Sequence, residues 1–331
     1  MKEILNRLIN QEKISKQEAK NVLVNISNGK YNNNQIASFL TVYMMRSISV
    51  EELDGFREAL LDLCLSIDLS EFNTIDLCGT GGDGRDTFNI STLSSFVTAG
   101  AGVKVAKHGN YGVSSSCGSS NVLEFLGLNF TSDKNILKKT IDQAGICVLH
   151  APLFHPAMKN VAPIRRELGV KTFFNMLGPM VNPSFPQNQM VGVFSLELAR
   201  LYGYLYQNTD KNYAILHDIA GYDEISLTGK AKVITNKEDK IFTPSDLQIK
   251  TISQEDIKGG LTVKDSAKIF MDILSGKGTE AQNNVVCANA GLAIATVNKI
   301  SHLEGFTLAQ RSLKDKKALK SFTKLIELSK N

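Results

Sequence analysis

The sequence predicts an α/β protein in which a small N-terminal helical domain precedes a larger domain with a largely parallel central sheet. Up to about residue 70, apolar residues recur every three or four positions, as they do on one face of a helix. From residue 73 onward, short β-rich runs alternate with longer helical patterns, which is typical of a parallel sheet covered by helices. With 331 residues, 43% of them apolar, the chain can bury a full core.

Capping signals mark the starts of the N-terminal helices. The segments 15–18 and 49–52 both read Ser-x-x-Glu, the spacing of a capping box, and Gly29 can end the second helix in the left-handed conformation. Met44 and Met45 can belong to the core or to a subunit contact, and the core is the favoured interpretation. No catalytic pattern is visible in these helices.

Five short runs are predicted to form strands of the central sheet. They are Ile75–Cys78, Val103–Ala106, Ile146–Leu149, Val191–Phe194 and Ala214–Leu216. The proline-rich stretch 152–186 interrupts them, and we expect it to pack on the N-terminal helices. The predicted domains are therefore 1–72, joined by 152–186, and 73–331. Ligands of such sheets bind outside the carboxyl ends of the strands, so we expect a second substrate there, between the two domains.

The C-terminal third adds a predicted hairpin and several helices. Ile225–Thr235 has the pattern of a hairpin, with turn residues at Gly229 and Lys230. The predicted helices cover 262–274, 279–298 and 301–313. The lysines that follow are interpreted as a solvated helix face.

Composition and charge argue against several classes of protein. The net charge of +4, with both signs interspersed, favours anionic ligands without indicating nucleic acid. The five scattered cysteines lack the close spacing of a zinc site, and we expect free thiols. Because we find neither a signal segment nor an apolar run of about 18 residues, we expect a cytoplasmic protein without a membrane segment.

The stretch after the first predicted strand, Gly79–Asp83, has the pattern of an anion-binding loop. Its glycines let backbone N–H groups turn toward a phosphate without interference from Cβ atoms. Asn89, Ser91 and Thr92 follow at the start of a helix, where they can cap it and where unpaired N–H groups attract anions. The second strand leads into Lys107–Asn110 and a serine-rich loop. The sequence therefore predicts a pocket for a multiply phosphorylated ligand.

Five ordered motifs resemble those of anthranilate phosphoribosyltransferases over nearly the whole chain, as far as Asn289-Ala290-Gly291. They are Gly79-Thr80-Gly81-Gly82-Asp83, Asn89-Ile90-Ser91-Thr92, Lys107-His108-Gly109-Asn110, Arg165-x-Glu167-Leu168-Gly169 with Phe174–Pro179, and Asp223-Glu224. The resemblance implies a nucleoside phosphorylase/phosphoribosyltransferase-like fold. The implied reaction transfers phosphoribose from 5-phosphoribosyl 1-pyrophosphate to the amino group of anthranilate, a step of tryptophan biosynthesis. Mg²⁺, two ions per active site, and a homodimer formed through the helical domain are also implied.

The resemblance further implies roles for individual residues. Those implied to bind 5-phosphoribosyl 1-pyrophosphate are Gly79, Gly82, Asp83, Thr87, Asn89, Ile90, Ser91, Thr92, Lys107, His108, Gly109, Asn110, Tyr111, Gly112, Val113, Ser114, Ser115 and Ser119. Those implied to bind anthranilate are Gly79, Asn110 and Arg165, and those implied to hold metal are Ser91, Asp223 and Glu224. No residue is assigned as a catalytic acid or base. We expect Lys107 and the metal ligands to stabilise the transition state.

Several of these residues have a second interpretation. Asp83 would repel phosphate, so it can accept hydrogen bonds from ribose hydroxyls or help to hold a hydrated cation. Arg165 can pair its planar guanidinium with a carboxylate, or it can form a surface ion pair with Glu167. His108 and His155 can be structural, because a neutral aromatic amine attacks before it loses its proton.

The chain also departs from the family pattern at several positions. Tyr111, Ser116, Cys117 and Asn121 stand where Arg, Lys, Ser and Asp are usual, and Asp218-Ile219-Ala220 replaces a glycine expected after His217. The loss of two cations can weaken binding of 5-phosphoribosyl 1-pyrophosphate. Two other functions stay open: a pyrimidine nucleoside phosphorylase, which would carry a Ser-Gly-Arg type base-binding segment, and a noncatalytic relative that binds nucleic acid.

Overall fold

The computed structural model describes residues 1–112 and 117–330. Contacts within the chain define two compact units: residues 1–66 with 151–183, hereafter the helical unit, and residues 67–150 with the chain from 184 onward, hereafter the α/β unit. No helix in the described ranges is long and apolar enough to cross a membrane.

Helices are numbered here in chain order across both units. They are α1 (Lys2–Ile9), α2 (Lys16–Ser27), α3 (Asn33–Met45), α4 (Val50–Asp62), α5 (Ile90–Gly100), α6 (Ser119–Phe125), α7 (Lys134–Ala144), α8 (Ala151–Phe154), α9 (Ala162–Leu168), α10 (Phe174–Leu177), α11 (Leu196–Tyr206), α12 (Val263–Leu274), α13 (Glu280–Asn298), α14 (His302–Lys314) and α15 (Lys317–Leu328). The first four and α8–α10 belong to the helical unit.

Local signals placed the helices of the helical unit correctly. Both predicted capping boxes are present, at the starts of α2 and α4, and Gly29 follows α2 in the left-handed conformation with φ +69°. The segment 151–183 packs on these helices through Phe173, whose ring stacks on Phe56 at 4.5 Å between centroids. Met44 and Met45 are 44% and 79% exposed, so their interpretation as core residues is wrong.

The α/β unit contains a seven-stranded sheet, which confirms the predicted fold class. Its strands are β1 (Ile75–Gly79), β2 (Val105–Gly109), β3 (Ile146–His150), β4 (Asn188–Gly192), β5 (Asn212–Asp218), β6 (Ala231–Thr235) and β7 (Asp239–Phe242). Their order is β3-β2-β1-β4-β5-β6-β7, in which the first five are parallel and the last two run antiparallel.

The predicted hairpin at 225–235 is wrong. The hairpin of this region joins β6 to β7, and residues 219–230 form an irregular connection from β5 to β6. Ile225 is buried in this connection, and its backbone pairs with a side-chain amide of α13 instead of a neighbouring strand. The three predicted C-terminal helices are confirmed as α12, α13 and α14, with Thr262, Thr279 and Ser301 as N-caps.

The strand order creates one crevice in the sheet. From β1 the chain adds β2 and β3 on one side, and it then crosses to add β4 and β5 on the other. Open α/β sheets bind ligands at such a switch point, outside the carboxyl ends of the strands. Here those ends are Gly79 of β1 and Gly192 of β4, which are paired in register.

Candidate active site

Asp223 lies directly over the paired glycines at the ends of β1 and β4. A Cβ atom on Gly79 would lie 2.2 Å from Oδ2 of Asp223, and one on Gly192 would lie 1.4 Å from its main-chain oxygen. Both positions must therefore be glycine for the connection after β5 to cross the switch point. Sequence reasoning missed Gly192, although a glycine inside a strand signals a close approach of another part of the chain.

Three acidic side chains converge at this point and are called the carboxylate cluster. One oxygen each of Asp83, Asp223 and Glu224 lies within 4.8 Å of the others. Backbone N–H groups orient two of them: Gly81 donates to Asp223 Oδ2 at 2.7 Å, and Ser91 donates to Glu224 Oε1 at 3.3 Å. Of the two interpretations of Asp83, this position favours the cation ligand.

The carboxylate cluster brings three acids together without a basic side chain in direct ion-pair contact, in the part of the chain that the structure describes. Burial, followed by repulsion from Asp83, raises the pKa of Asp223 to about 7. Burial and repulsion from Asp223 also hold the pKa of Glu224 well above its usual value. Clustered carboxylate oxygens are the ligands that Mg²⁺ prefers, so these residues fit that ion.

The start of α5 faces the carboxylate cluster. Glu224 accepts the N–H group of Ser91 and so caps this helix from a distant part of the chain. Asn89 is the N-cap residue, but its side chain makes no capping bond and donates instead to the carbonyl oxygen of Cys117 at 3.2 Å. The prediction that Asn89 caps the helix through its side chain is therefore wrong. Ile90 and Thr92 are buried, so the polar groups presented by this turn come from Asn89 and Ser91.

Polar residues of β2 lie inside the sheet. The strand continues to Gly109, so Lys107 and His108, predicted to follow it, are part of it. Lys107 is 2% exposed, and its Nζ donates to the carbonyl oxygen of Leu77 in β1 at 2.8 Å. Burial lowers the pKa of Lys107. The backbone N–H of His108 donates to Oδ1 of the buried Asp76 at 3.1 Å.

The loop after β2 is closed at its base by one amide. Oδ1 of Asn121 accepts the N–H groups of Gly112 at 3.1 Å and Gly118 at 3.0 Å. Nearby, Ser119 Oγ donates to the carbonyl oxygen of Asn110 at 3.2 Å. The remaining predicted phosphate contacts of this loop, Val113, Ser114 and Ser115, lie outside the described residues, as does Ser116.

Thr87 and Gly82 have backbone roles. Thr87 forms an isolated antiparallel bridge with Lys258, which ties the segment before α5 to the segment before α12. Gly82 is buried and has a positive φ of +72°, a conformation that favours glycine. The Gly79–Asp83 loop and the start of α5 are linked through the adjacent acids Asp223 and Glu224, which accept the N–H groups of Gly81 and Ser91.

Comparison with known proteins agrees with this architecture. A family model described as the helical bundle domain of a glycosyl transferase family matches residues 2–64, and one described as its a/b domain matches residues 71–319. The anthranilate phosphoribosyltransferase of Flavobacterium psychrophilum is 72% identical over 329 residues, covering 99% of this chain and 100% of the relative. The chain belongs to the anthranilate phosphoribosyltransferase family.

Solved structures of the same family share the fold over the full length. The enzyme of Thermus thermophilus matches with a TM-score of 0.92 at 30% identity, covering 99% of both chains. The enzyme of Saccharomyces cerevisiae, solved in complex with PRPP and Mg, matches with a TM-score of 0.90 at 25% identity and coverage of 98% and 96%. The yeast enzyme has also been solved with 4-fluoroanthranilate, at a TM-score of 0.87 and 26% identity.

Two departures from the family pattern have a local structural explanation. The ring of Tyr111 packs edge-on against His150 at 4.8 Å, and its hydroxyl donates to Glu124 Oε1 at 3.2 Å. Asp218 accepts the N–H groups of Ala220 at 2.9 Å and Ser226 at 3.1 Å. Asp218 thereby organises the connection that carries Asp223 and Glu224, in place of the glycine expected there.

Arg165, the family's expected contact to anthranilate, belongs to α9 of the helical unit. Its Nη2 donates to Oδ1 of Asn175 at 3.1 Å, and its guanidinium lies over the ring of Phe174 at 5.3 Å. Its Nε is buried without a hydrogen-bond partner in the described ranges, and burial lowers the pKa of Arg165. Glu167 is exposed and forms no ion pair with Arg165 there, so the surface ion-pair interpretation has no support.

Proposed function

We propose that the chain transfers phosphoribose from 5-phosphoribosyl 1-pyrophosphate to the amino group of anthranilate, giving N-(5-phosphoribosyl)anthranilate and pyrophosphate. The observation that carries the proposal is the carboxylate cluster, which lies beside a glycine-rich loop and the start of α5 at the switch point of the sheet. Acids without an ion-pair partner, gathered beside an anion-binding loop, suit a ligand that brings both phosphate and metal. Family membership over the full chain supports the same reaction.

Mg²⁺ is the proposed metal. Asp83, Asp223 and Glu224 would hold it, together with the hydroxyl of Ser91 and oxygens of the substrate. We propose two ions per active site, as the resemblance implies. The yeast relative solved with PRPP and Mg supports the choice of ion.

The binding of 5-phosphoribosyl 1-pyrophosphate is assigned to the loop after β1, the first turn of α5 and the loop after β2. Backbone N–H groups of glycine-rich turns and helix starts are suited to phosphate oxygens. Lys107 adds positive charge beneath the loop: its ammonium has three donors, and its contact with Leu77 uses one. Val113, Ser114 and Ser115 complete the proposed phosphate contacts.

Anthranilate is assigned to Arg165, Asn110 and Gly79. The buried Nε of Arg165 is a donor that still needs an acceptor, and a guanidinium binds a carboxylate through two parallel hydrogen bonds. The ring of Phe174 lies beneath the guanidinium, with the ring centroid at 5.3 Å. Asn110 is exposed on the loop after β2, where its amide can orient the amino group.

The reaction exchanges one bond at the anomeric carbon. The bond to pyrophosphate breaks, its electron pair leaves with pyrophosphate, and the ribose gains oxocarbenium character. The amine lone pair forms the new C–N bond, and its proton passes to solvent, so no general base is assigned. Metal held by the carboxylate cluster would stabilise the charge that develops on pyrophosphate, and Lys107 and the loop N–H groups act in the same sense.

Location and assembly complete the proposal. We place the reaction in tryptophan biosynthesis in the cytoplasm and expect a homodimer formed through the N-terminal helices. The exposed Met44 and Met45 at the end of α3 offer apolar surface for such a contact. Both the location and the dimer stay predictions.

The proposed function is tested by mixing purified protein, Mg²⁺, 5-phosphoribosyl 1-pyrophosphate and anthranilate, and following the loss of anthranilate fluorescence. We expect loss only when all four components are present, with pyrophosphate released in equal amount. No loss at high enzyme concentration would refute the proposal. Phosphorolysis of a pyrimidine nucleoside by the same preparation would favour the phosphorylase alternative.

A further inference from the structure

Asn289 is a fully buried amide in the middle of α13. It is 0% exposed, and its neighbours along the helix, Val285–Ala288 and Ala290–Ile294, are buried and almost all apolar. A buried amide costs free energy unless its donors and acceptor are hydrogen-bonded. Its presence in an apolar helix therefore calls for a specific partner.

That partner is the backbone of Ile225. Oδ1 of Asn289 accepts the N–H of Ile225 at 3.0 Å, and its Nδ2 donates to the carbonyl oxygen of Ile225 at 2.9 Å. Nδ2 also donates to the carbonyl oxygen of Val285 at 2.9 Å, which fixes the amide on its own helix. One side chain thus satisfies both main-chain polar groups of a residue that has no strand neighbour.

Ile225 directly follows the two acids of the carboxylate cluster. Its side chain is buried in the core, and the next residue, Ser226, is held by Asp218, which accepts its hydroxyl at 2.6 Å. On the other side, Gly79 and Gly192 allow Asp223 to approach closely, because a Cβ atom on either glycine would collide with it. The backbone that carries the acids is therefore fixed after Glu224 by hydrogen bonds and beneath Asp223 by close packing.

We infer that Asn289 is a positioning residue for the metal site: by holding Ile225, it keeps Asp223 and Glu224 turned toward Asp83. The inference rests on the proposed function, because it assigns Asn289 to the Mg²⁺ that accompanies 5-phosphoribosyl 1-pyrophosphate. Only an amide suits this place. Ionised aspartate has no donor, and protonated aspartate has only one, for the carbonyl oxygens of Ile225 and Val285, while alanine leaves both polar groups of Ile225 unpaired.

A purely structural role would lower stability without a selective effect on metal, so a matched control is needed. Asn188 is also a fully buried asparagine, and its Nδ2 donates to Asn73 Oδ1 at 3.0 Å and to the carbonyl oxygen of Thr74 at 3.1 Å. It begins β4 at the amino end of the strand, opposite the edge where Gly192 meets Asp223. Asn188→Ala therefore removes a comparable amide without touching the site.

The experiment compares wild type, Asn289→Ala and Asn188→Ala at a temperature where unfolding curves show all three to be folded. The Michaelis constants for both substrates are measured across a series of Mg²⁺ concentrations. Isothermal titration calorimetry of 5-phosphoribosyl 1-pyrophosphate with and without Mg²⁺ measures binding in the absence of turnover, and for Asn289→Ala we expect the tightening by Mg²⁺ seen in wild type and Asn188→Ala to be lost. For Asn289→Ala we expect at least a tenfold rise in the Mg²⁺ needed for half-maximal rate and in the constant for 5-phosphoribosyl 1-pyrophosphate. The constant for anthranilate should stay within twofold, and Asn188→Ala should leave all three within twofold.

An unchanged Mg²⁺ requirement in Asn289→Ala, or an equal change in Asn188→Ala, would overturn the inference. If Asn289→Ala does not fold, Asn289→Ser, which keeps one hydroxyl donor and acceptor, is judged by the same criteria. A wild-type protein without Mg²⁺-dependent activity would instead refute the proposed function, and the inference with it. The two failures are therefore distinguishable.

Discussion

Two regions of the molecule bury acidic side chains, and they differ in whether a basic side chain forms an ion pair with them. In the helical unit, Glu52 is 0% exposed and fully partnered: Arg46 Nη1 donates to its Oε1 at 2.9 Å, and Ser49 donates its N–H to Oε2 at 2.8 Å. The N–H of Ile14 adds a third bond to Oε1 at 3.1 Å. This charge is balanced entirely within the fold.

The carboxylate cluster of the α/β unit has backbone donors, but no lysine or arginine among the described residues forms an ion pair with it, and the charges of Lys107 and Arg85 act on it only from a distance. The pKa values of Asp83, Asp223 and Glu224 are all raised, with burial as the largest cause for each and repulsion from a neighbouring acid as a further cause for Asp223 and Glu224. Balanced buried charge holds helices together, whereas unbalanced charge is kept for a ligand that brings the opposite sign.

The largest effect is expected when the carboxylate cluster loses its charge. Asp223→Asn with Glu224→Gln should lower kcat/KM by roughly ten-thousandfold, because two metal ligands are lost while the shape is kept. Thermal stability should stay nearly unchanged or rise, since repulsion between the acids is relieved. Activity assays and unfolding curves measure both. A double variant that is active but unstable would show that these acids stabilise the fold and do not bind the metal.

Arg165 is a test in the helical unit, because the Nε of its guanidinium is buried without a hydrogen-bond partner in the described ranges. Arg165→Ala should raise the Michaelis constant for anthranilate by roughly thirty- to several-thousandfold, which corresponds to about 2–5 kcal/mol for a buried charge pair. The constant for 5-phosphoribosyl 1-pyrophosphate should change far less. Steady-state kinetics decide the point, and two constants within about twofold of wild type would remove Arg165 from the anthranilate site.

Glu52→Gln should do the opposite of the double variant. Removing one partner of a buried ion pair lowers the free energy of unfolding by about 3–5 kcal/mol, because Arg46 is left uncompensated. The kcat/KM of the folded fraction should stay within twofold of wild type. Chemical denaturation and activity measured on the same preparation check this, and a selective loss of Mg²⁺ dependence would contradict it.

The smallest predicted effect is a pH dependence of stability in metal-free protein. The pKa of Asp223 is raised to about 7 on folding. Between pH 4 and 7 the folded chain therefore binds more protons than the unfolded chain, and stability should fall as pH rises, by about 2–4 kcal/mol. Denaturation with a chelator at pH 5 and pH 8 measures the difference, and Asp223→Asn should reduce it. Higher stability at pH 8 would argue against uncompensated acids.

Features that depend on neighbouring residues were predictable from the sequence. The capping boxes of α2 and α4 and the glycine-rich loop after β1 follow from spacing alone. The convergence of Asp83 with Asp223 and Glu224 was not predictable, since it depends on the crossing of the connection after β5 over Gly192. Lys107 was predicted to follow β2 because a lysine is usually exposed. In the structure it is a buried residue of the strand, and its ammonium group donates to a carbonyl oxygen of the neighbouring strand β1.

The same limit explains the false hairpin. Ile225 and Leu227 alternate with polar residues as a strand would, but Leu227 has a left-handed φ of +61° and Ile225 pairs with Asn289. The side chain of Asn289, 64 residues away in the sequence, takes the place of a strand partner, and the local sequence pattern cannot indicate such a contact. The residues that complete the site are thus those whose partners are distant in sequence.

The central claim is that the carboxylate cluster binds metal together with 5-phosphoribosyl 1-pyrophosphate. Isothermal titration calorimetry of this substrate, with and without Mg²⁺, tests it in the wild type and in the Asp223→Asn, Glu224→Gln double variant. We expect Mg²⁺ to bind weakly alone, to tighten substrate binding at least tenfold in the wild type, and to have little effect in the double variant. An unchanged Mg²⁺-dependent affinity in the double variant would contradict the claim.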